Sequence, residues 1–416
     1  MKTCIRNIAG LVAVPPGPVR GAAFQSPPII SNAVLVIEDD RIGWFGPARD
    51  APAGPFDREI DAAGGTVVPG LVDCHTHVVF AGSREDEFVR RLRGASYIDI
   101  LEAGGGILNS VRALRAASID DLVRESKPRI DRMLAWGTTT VEAKSGYGLT
   151  PEDELKTLRA IRRLSALTPV EIVPTFLGAH AIPPEYEGCA EAYLKTMTAE
   201  ALLQQIARAG LAEFADVFCE RGAFSLEESR RFLTACREHG LTPKIHAEQI
   251  TFTGGAKLAV ELGAASADHL ERADDETIAV LKRGRTIPVL LPGCSFFLGS
   301  APAPARRLID AGLPVALATD VNPGSCTIES LPLIMSIAAT LLKMTPLESL
   351  VACTANAAAA IGRADRLGAI AAGHQADLLI LDIPNVDRWA YQVGVNPVAK
   401  VLKAGVVVVD RRGAEP

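Results

Sequence analysis

Short apolar runs alternate with amphipathic segments through the middle of the chain, whereas the runs at both ends are separated only by turns. Runs of four to eight apolar residues bounded by turn residues are typical of buried strands, and apolar residues three or four apart indicate helices. Eight runs in the middle fit strands: 71–78, 138–143, 171–177, 214–219, 243–247, 265–270, 286–291 and 314–318. Helical spacing falls between them, for example at 120–136, 151–167, 199–209, 226–239 and 274–282.

This alternation of strand and helix predicts an α/β protein with a parallel sheet. Eight strand–helix units over about 300 residues fit a (β/α)8 barrel of the TIM type, which we place at 67–367. A doubly wound open sheet is the alternative. It is disfavoured because no GxGxxG follows the first strand and no phosphate-binding loop of the Walker type is found.

The two ends of the chain predict a second, smaller β unit. An apolar run at 33–37 leads through Glu38-Asp39-Asp40 into a second run at 41–45, which is the pattern of a hairpin. Similar runs recur at 376–382 and 398–409. We expect 1–66 and 368–416 to form one discontinuous β-sandwich domain.

Composition and charge narrow the class of protein. The 416 residues carry a net charge of −6, which offers no basic surface for nucleic acid. The eight cysteines are scattered without a CxxC pair, as expected for free thiols in a reducing compartment. Prolines at 15, 16 and 18 interrupt the first apolar run, and no uncharged run is long enough to cross a bilayer. We expect a soluble, cytoplasmic protein with no nucleic-acid or membrane partner.

Histidines cluster where the predicted strands end. In a barrel, functional side chains lie at the carboxyl ends of the strands. Five of the seven histidines fall there: His75, His77, His180, His246 and His269. The other two, His239 and His374, are expected to be ordinary surface residues.

Four of the side chains at strand ends have the chemistry of a metal site. His75 and His77 are two apart, so a strand would direct both rings to one face. With His246 and Asp320 they supply three nitrogens and one oxygen, a set that suits Zn²⁺ or a similar ion. Asp320 is the candidate base that takes a proton from water and passes it to a leaving nitrogen, and His269 can hydrogen-bond the nucleophile or an oxyanion.

The motifs resemble those of the amidohydrolase superfamily. Pro-Gly-Leu-Val-Asp-Cys-His-Thr-His at 69–77 is similar to its first-strand signature, and His246, His269 and Asp320 match its strand-5, strand-6 and strand-8 positions. The segment 373–379 is similar to the strand that returns to the β domain, so the resemblance covers essentially the whole chain. It implies a metal-dependent hydrolase.

Within that superfamily the chain is most similar to the enzymes that hydrolyse 4-imidazolone-5-propanoate in histidine degradation. Five passages carry this likeness: 79–84, 141–149, 176–180, 245–249 and 318–325. The resemblance implies cleavage of the cyclic amide C–N bond by a metal-activated water, with N-formimidoyl-L-glutamate as product. It also implies one Zn²⁺ or Fe³⁺ per subunit, held by His75, His77, His246 and Asp320, and it is compatible with a homodimer.

The same likeness implies a set of substrate contacts: Arg84, Tyr97, Tyr147, His180, Gln249, Asn322, Gly324 and Ser325. Arg84, in the loop after the first strand, would bind the propionate. The backbone N–H groups of the turn 322–325 could bind a carboxylate as well. Some relatives carry glutamate in place of Gln249, whose amide can still hydrogen-bond the ring.

Two other functions stay open. Another cyclic-amide or amidine hydrolase, such as a deaminase or a hydantoinase-like enzyme, would share the metal ligands and differ only in its pocket. A catalytically inactive scaffold subunit is the second, although such proteins tend to lose metal ligands that are all present here.

The end of the fourth strand indicates the number of metal ions. Its residues, Cys219-Glu220, include no lysine to bridge two ions, so we predict one metal. Glu220 is the residue that could bind a second ion. Lys144 is expected to have a structural or supporting role.

Overall fold

The two ends of the chain form one eight-stranded sheet in the computed structural model, which describes residues 1–94 and 105–412. Its strands are β1 (Lys2–Val12), β2 (Ile29–Glu38), β3 (Arg41–Pro47), β4 (Arg58–Asp61), β5 (Thr66–Pro69), β14 (Leu378–Leu381), β15 (Val398–Lys403) and β16 (Val406–Asp410). The two ends are joined where β5 runs antiparallel to β14, with Val68 opposite Leu379. The predicted β2–β3 hairpin is present.

The second sheet is a parallel barrel whose strands follow one another in chain order. Its eight strands are β6 (Leu71–Asp73), β7 (Thr138–Lys144), β8 (Glu171–Ala179), β9 (Phe214–Cys219), β10 (Thr242–Ala247), β11 (Ser266–His269), β12 (Ile287–Leu290) and β13 (Ala316–Leu317). The ring closes beyond the ends of β6 and β13, where the Asp320 N–H donates to the His75 carbonyl at 3.0 Å and the His77 N–H donates to the Val321 carbonyl at 2.9 Å. The predicted (β/α)8 barrel is confirmed.

Helices surround the barrel. Within the described residues they are α1 (Gly21–Gln25), α2 (Glu85–Leu92), α3 (Ile107–Ala116), α4 (Ile119–Ala135), α5 (Pro151–Ser165), α6 (Ala190–Met197), α7 (Glu200–Arg208), α8 (Leu226–Glu238), α9 (Gly255–Leu262), α10 (Asp275–Leu281), α11 (Pro292–Leu298), α12 (Ala305–Asp310), α13 (Leu331–Ile337), α14 (Pro346–Ala352), α15 (Ala355–Ala360) and α16 (Asp387–Tyr391). Single 3₁₀ turns lie at Ala48–Asp50 and Pro184–Tyr186, and a π-helical turn extends α13 over Ala338–Leu342. Ser118 and Ser225 begin α4 and α8 with reciprocal capping boxes, a feature that the sequence encodes locally. Among these helices none has the length and apolar character needed to cross a membrane.

Two predicted limits differ from the structure. The expected strand 71–78 ends at Asp73, because the following backbone bonds alternately to two segments: His75 to Asp320, and Thr76 to Lys144. The expected barrel start at 67 falls inside β5, whose residues pair with β1 and β14, so the terminal sheet extends to Pro69. Tyr97 lies outside the described residues.

Candidate metal centre and substrate pocket

The four predicted metal ligands meet at one buried point at the carboxyl end of the barrel. The Nε2 atoms of His75 and His77 lie 3.5 and 3.6 Å from Asp320 Oδ1. His246 Nε2 lies 3.4 Å from His77 Nε2. All four side chains are buried. His75 and His77 follow β6 rather than lying within it. They come close to Asp320 because the backbone hydrogen bonds that close the barrel join these two segments.

The arrangement of donor atoms fits a metal ion. His75 Nε2 and His77 Nδ1 are buried without a hydrogen-bond partner in the described part of the chain. Two overlapping groups, His75–His77–Asp320 and His75–His246–His269, each offer ligand atoms within 4.8 Å of one another. Burial raises the pKa of Asp320 to about 6, so an isolated carboxylate is poorly stabilised there. A cation among these imidazole nitrogens and the carboxylate would give His75 Nε2 the partner that it lacks.

Two carboxylates that the sequence analysis missed lie behind the ligand rings. Asp268 Oδ2 is 2.6 Å from His75 Nδ1, a hydrogen-bond distance. Asp216 Oδ2 is 3.0 Å from His246 Nδ1, although the two atoms are not aligned as in a hydrogen bond. Both residues could have been noticed in the sequence, because buried parallel strands are normally apolar and an acidic residue within one needs a partner.

His269 lies beside the cluster and next to a carboxylate. Its Nδ1 is 3.4 Å from Glu271 Oε1. Burial alone would lower the pKa of His269, but Glu271, Asp320 and Asp268 outweigh burial and the net shift is upward. The ring lines the pocket, so it can donate a hydrogen bond to a molecule bound there.

A cavity of about 290 Å³ opens beside these residues. It is lined by His77, Arg84, Glu87, Arg91, Ile107, Tyr147, His180, Phe218, His246, Gln249, Ile250, His269, Leu298, Asp320, Asn322, Gly324 and Ser325. Every predicted substrate contact within the described residues is on this wall. Glu87 and Arg91, both on α2, also line the cavity, and the sequence analysis did not predict them.

His180 and Tyr147 form an aromatic wall of the cavity. The His180 ring stacks on His77 with centroids 5.1 Å apart, and its Nδ1 is 2.9 Å from the Gly146 carbonyl. Burial lowers the pKa of His180 to about 3, so the ring is neutral and its Nδ1–H donates to that carbonyl. Burial also raises the pKa of the Tyr147 hydroxyl, which therefore stays a donor. Both side chains can hydrogen-bond a planar polar ring.

Two arginines lie at another wall of the cavity. Arg84 Nε donates to Glu87 Oε2 at 2.9 Å, and Arg84 Nη2 forms an ion pair with the same oxygen at 2.8 Å. Arg91 donates a long hydrogen bond of 3.4 Å to the Gly324 carbonyl and lies 5.4 Å from the Phe297 ring centroid. A Cβ atom on Gly324 would lie 2.1 Å from Arg84 Nη1, so a larger residue at this position would displace the guanidinium. The pocket thus combines a metal-ligand cluster with two cationic side chains.

The turn after β13 differs from its predicted role. Asn322 Oδ1 accepts hydrogen bonds from the N–H groups of Gly324 and Ser325 at 2.8 and 2.7 Å. Asn322 Nδ2 donates to the Asp320 carbonyl at 2.7 Å. The backbone donors expected to bind a carboxylate are therefore already used within the turn, because an asparagine side chain competes for nearby backbone groups. The turn instead braces Asp320, while its residues still line the cavity.

Glu220 and Gln249 also have defined partners. Glu220 accepts from the N–H groups of Ile250 and Thr251 at 2.9 and 3.1 Å, so its carboxylate anchors a loop. No metal-ligating group found in the described ranges includes Glu220. Gln249 donates to Cys294 Sγ at 3.7 Å. A single ion per chain stays our prediction.

Comparison with known proteins agrees with this geometry. The amidohydrolase family model matches residues 66–408. An imidazolonepropionase from Geobacillus kaustophilus (strain HTA426) is 52% identical over 387 residues, covering 92% of this chain and 91% of that protein. One from Alkaliphilus oremlandii (strain OhILAs) is 47% identical over 413 residues, covering 98% of each. The chain belongs to the imidazolonepropionase family.

Solved structures share the fold of this imidazolonepropionase-family chain. The 5-methylcytosine deaminase from Klebsiella pneumoniae, liganded with 5-fluorocytosine, superposes with a TM-score of 0.76 at 17% identity, covering 100% of this chain and 99% of the deaminase. At that identity the likeness concerns the fold alone. The expected membership in the superfamily, and the closer likeness within it, are both confirmed.

Proposed function

We propose that this chain hydrolyses the cyclic amide C–N bond of 4-imidazolone-5-propanoate to give N-formimidoyl-L-glutamate, a step of histidine degradation. It is a hydrolase of the imidazolonepropionase family. The observation that supports this substrate is a His/Asp ligand cluster and two arginines on the walls of one cavity of about 290 Å³. The polar five-membered ring of this substrate would lie at the ligand cluster, and its carboxylate tail would lie at the two arginines.

The proposed metal ligands are His75, His77, His246 and Asp320. When bound, one Zn²⁺ or Fe³⁺ would act as a Lewis acid that activates water and polarises the amide carbonyl. The nitrogen and oxygen donors suit either ion, so metal analysis of the purified protein decides between them.

Asp320 is the proposed proton carrier. Its Oδ1 is within 3.6 Å of two ligand rings and its side chain lines the cavity, so it can reach a water that attacks the amide carbon. It takes the proton of that water and passes it to the ring nitrogen as the C–N bond breaks. His269, from the neighbouring wall, donates a hydrogen bond to the amide oxygen as negative charge develops.

The remaining wall residues are proposed to orient the substrate. His180 and Tyr147 hydrogen-bond the ring, and Gln249, Asn322 and Ser325 complete the polar wall. Arg84 and Arg91 pair with the propionate. Glu87, which accepts a hydrogen bond from Arg84 Nε and forms an ion pair with Arg84 Nη2, holds this guanidinium in the orientation that a carboxylate needs.

Turnover of freshly prepared 4-imidazolone-5-propanoate, with metal content measured on the same sample, tests the proposal. We expect N-formimidoyl-L-glutamate to form, and Asp320→Asn to serve as the inactive control. Ammonia release from a nucleobase without turnover of the imidazolone would identify a deaminase instead. A protein that binds no metal and hydrolyses no cyclic amide would be a scaffold subunit.

We also propose a cytoplasmic location, a homodimer and a division into a barrel and a discontinuous β domain. All eight cysteines are free thiols, which supports a reducing compartment. Light scattering of the purified chain tests the dimer.

A further inference from the structure

A layer of buried charged side chains lies behind the metal ligands, on the inside of the barrel. Its five members are Glu142, Lys144, Asp216, Lys244 and Asp268. We call them the charged layer. Each is completely buried. Charges are kept in a barrel interior only when they are paired, and such residues are costly to bury without a function.

The two lysines connect the three carboxylates. Lys144 Nζ donates to Glu142 Oε1 and Asp216 Oδ2, both at 2.8 Å, and lies 3.9 Å from Asp268 Oδ2. Lys244 Nζ donates to the Cys74 carbonyl at 2.9 Å. It also lies 3.1 Å from Glu142 Oε1 and 3.8 Å from Asp268 Oδ2. Every carboxylate of the layer is therefore within 4.0 Å of a lysine.

Two of the oxygens near the lysines, one of Asp216 and one of Asp268, also lie next to the ligand rings. Asp216 Oδ2 accepts from Lys144 and lies 3.0 Å from His246 Nδ1. Asp268 Oδ2 is 2.6 Å from His75 Nδ1. A carboxylate at Nδ1 sets the tautomer and the ring orientation, which leaves Nε2 free to bind an ion. The position of each ring thus depends on a carboxylate that a lysine holds.

The formal charge of the layer also favours a cation. Three carboxylates and two ammonium groups sum to −1 (2 − 3). This charge lies directly behind the rings of His75 and His246, with carboxylate oxygens 2.6 and 3.0 Å from their Nδ1 atoms. A buried negative charge at this distance attracts a metal ion more strongly than it would in water, because the interior screens it less.

We propose that Lys144 and Lys244 are positioning residues of the metal centre. By holding Asp216 and Asp268, they fix the rings of His246 and His75 so that both Nε2 atoms face the ion. This inference rests on the proposed metal site and not on the identity of the substrate. Lys144 has the larger part, because it donates directly to Asp216 whereas Lys244 approaches Asp268 only to 3.8 Å.

The test measures metal binding without substrate. Zn²⁺ affinity is measured by competition with a chelator in Lys144→Met, Lys244→Met and the matched control Lys156→Met. Lys156 pairs with Asp153 at 2.7 Å on α5, away from the centre. We expect affinity to fall about 10- to 100-fold in Lys144→Met, less in Lys244→Met, and not at all in the control.

The absorption spectrum of the Co²⁺-loaded protein separates positioning from general support of the barrel. Displaced ligand rings would shift the visible bands of Co²⁺, whereas a purely structural lysine would lower the unfolding temperature and leave the bands unchanged. Unaltered Zn²⁺ affinity and bands in Lys144→Met would overturn the proposal. If that variant does not fold, Lys144→Gln, which keeps a polar side chain at this position, decides by the same two measurements. Loss of metal affinity without any imidazolone turnover in the wild type would refute the substrate but retain this inference.

Discussion

Gly324→Ala should weaken binding of the substrate carboxylate without disturbing the fold. The added methyl group would lie 2.1 Å from Arg84 Nη1, whereas real contacts of Cβ are essentially never shorter than 3.0 Å. The guanidinium must therefore retreat by at least 0.9 Å (3.0 − 2.1). Gly324 does not have a positive φ, so alanine brings no backbone strain at this position.

The expected fall in kcat/KM can be estimated from the hydrogen bonds that Arg84 would lose. Its Nε and Nη2 are bound to Glu87 at 2.9 and 2.8 Å, so the retreat of Nη1 disrupts this orientation as well. Hydrogen bonds to charged groups contribute about 1.5–3 kcal/mol. At 1.36 kcal/mol per tenfold, kcat/KM should fall by about 10- to 150-fold, mainly through KM.

Three measurements check this reasoning. Steady-state kinetics of Gly324→Ala and Arg84→Ala should show similar losses, and the double variant should be little worse than either, since both act on one contact. A substrate analogue with a propionamide tail should be affected much less. Gly10→Ala, where the new Cβ would have no neighbour closer than 3.8 Å, is the matched control. A normal KM in Gly324→Ala would refute the reasoning.

Three further outcomes are expected. Asp320→Asn should lower turnover by at least about 10²-fold with an unchanged circular dichroism spectrum, because the amide cannot take up the proton of the water; near-normal rates would remove Asp320 from the mechanism. Arg91→Gln should raise KM about tenfold while kcat and metal content stay the same, and an unchanged KM would exclude Arg91 from carboxylate binding. Removal of metal by a chelator should abolish hydrolysis, and Zn²⁺ or iron should restore it; full activity of the metal-free protein would contradict a metal mechanism.

Much of the fold and the ligand set could be read from local sequence. The apolar runs and helical periods predicted all eight barrel strands, since burial on both faces of a parallel sheet leaves a strong local signal. His75, His77, His246 and Asp320 could be found because each lies near the end of such a run or just after it. Strand ends at one edge of a barrel must lie near one another, whatever the details of packing.

Roles that depend on neighbouring strands could not be read in this way. Asp216 and Lys144 lie on different strands, and their 2.8 Å contact exists only because β7, β8 and β9 are adjacent in the barrel. The donors of the turn 322–325 look free in sequence, yet Asn322 uses two of them. The space beside Gly324 is likewise invisible until Arg84 is placed against it.

One physical difference separates the features that the sequence predicted from those that only the structure revealed. Periodic burial and strand-end position are properties of a few consecutive residues, so the barrel and the proposed metal ligands were accessible from the chain alone. The partner of a buried charge, the free or occupied state of a donor and the clearance around a glycine are properties of side chains brought together from distant segments. Those features, on which the proposed ring orientation and carboxylate binding depend, required the packed barrel.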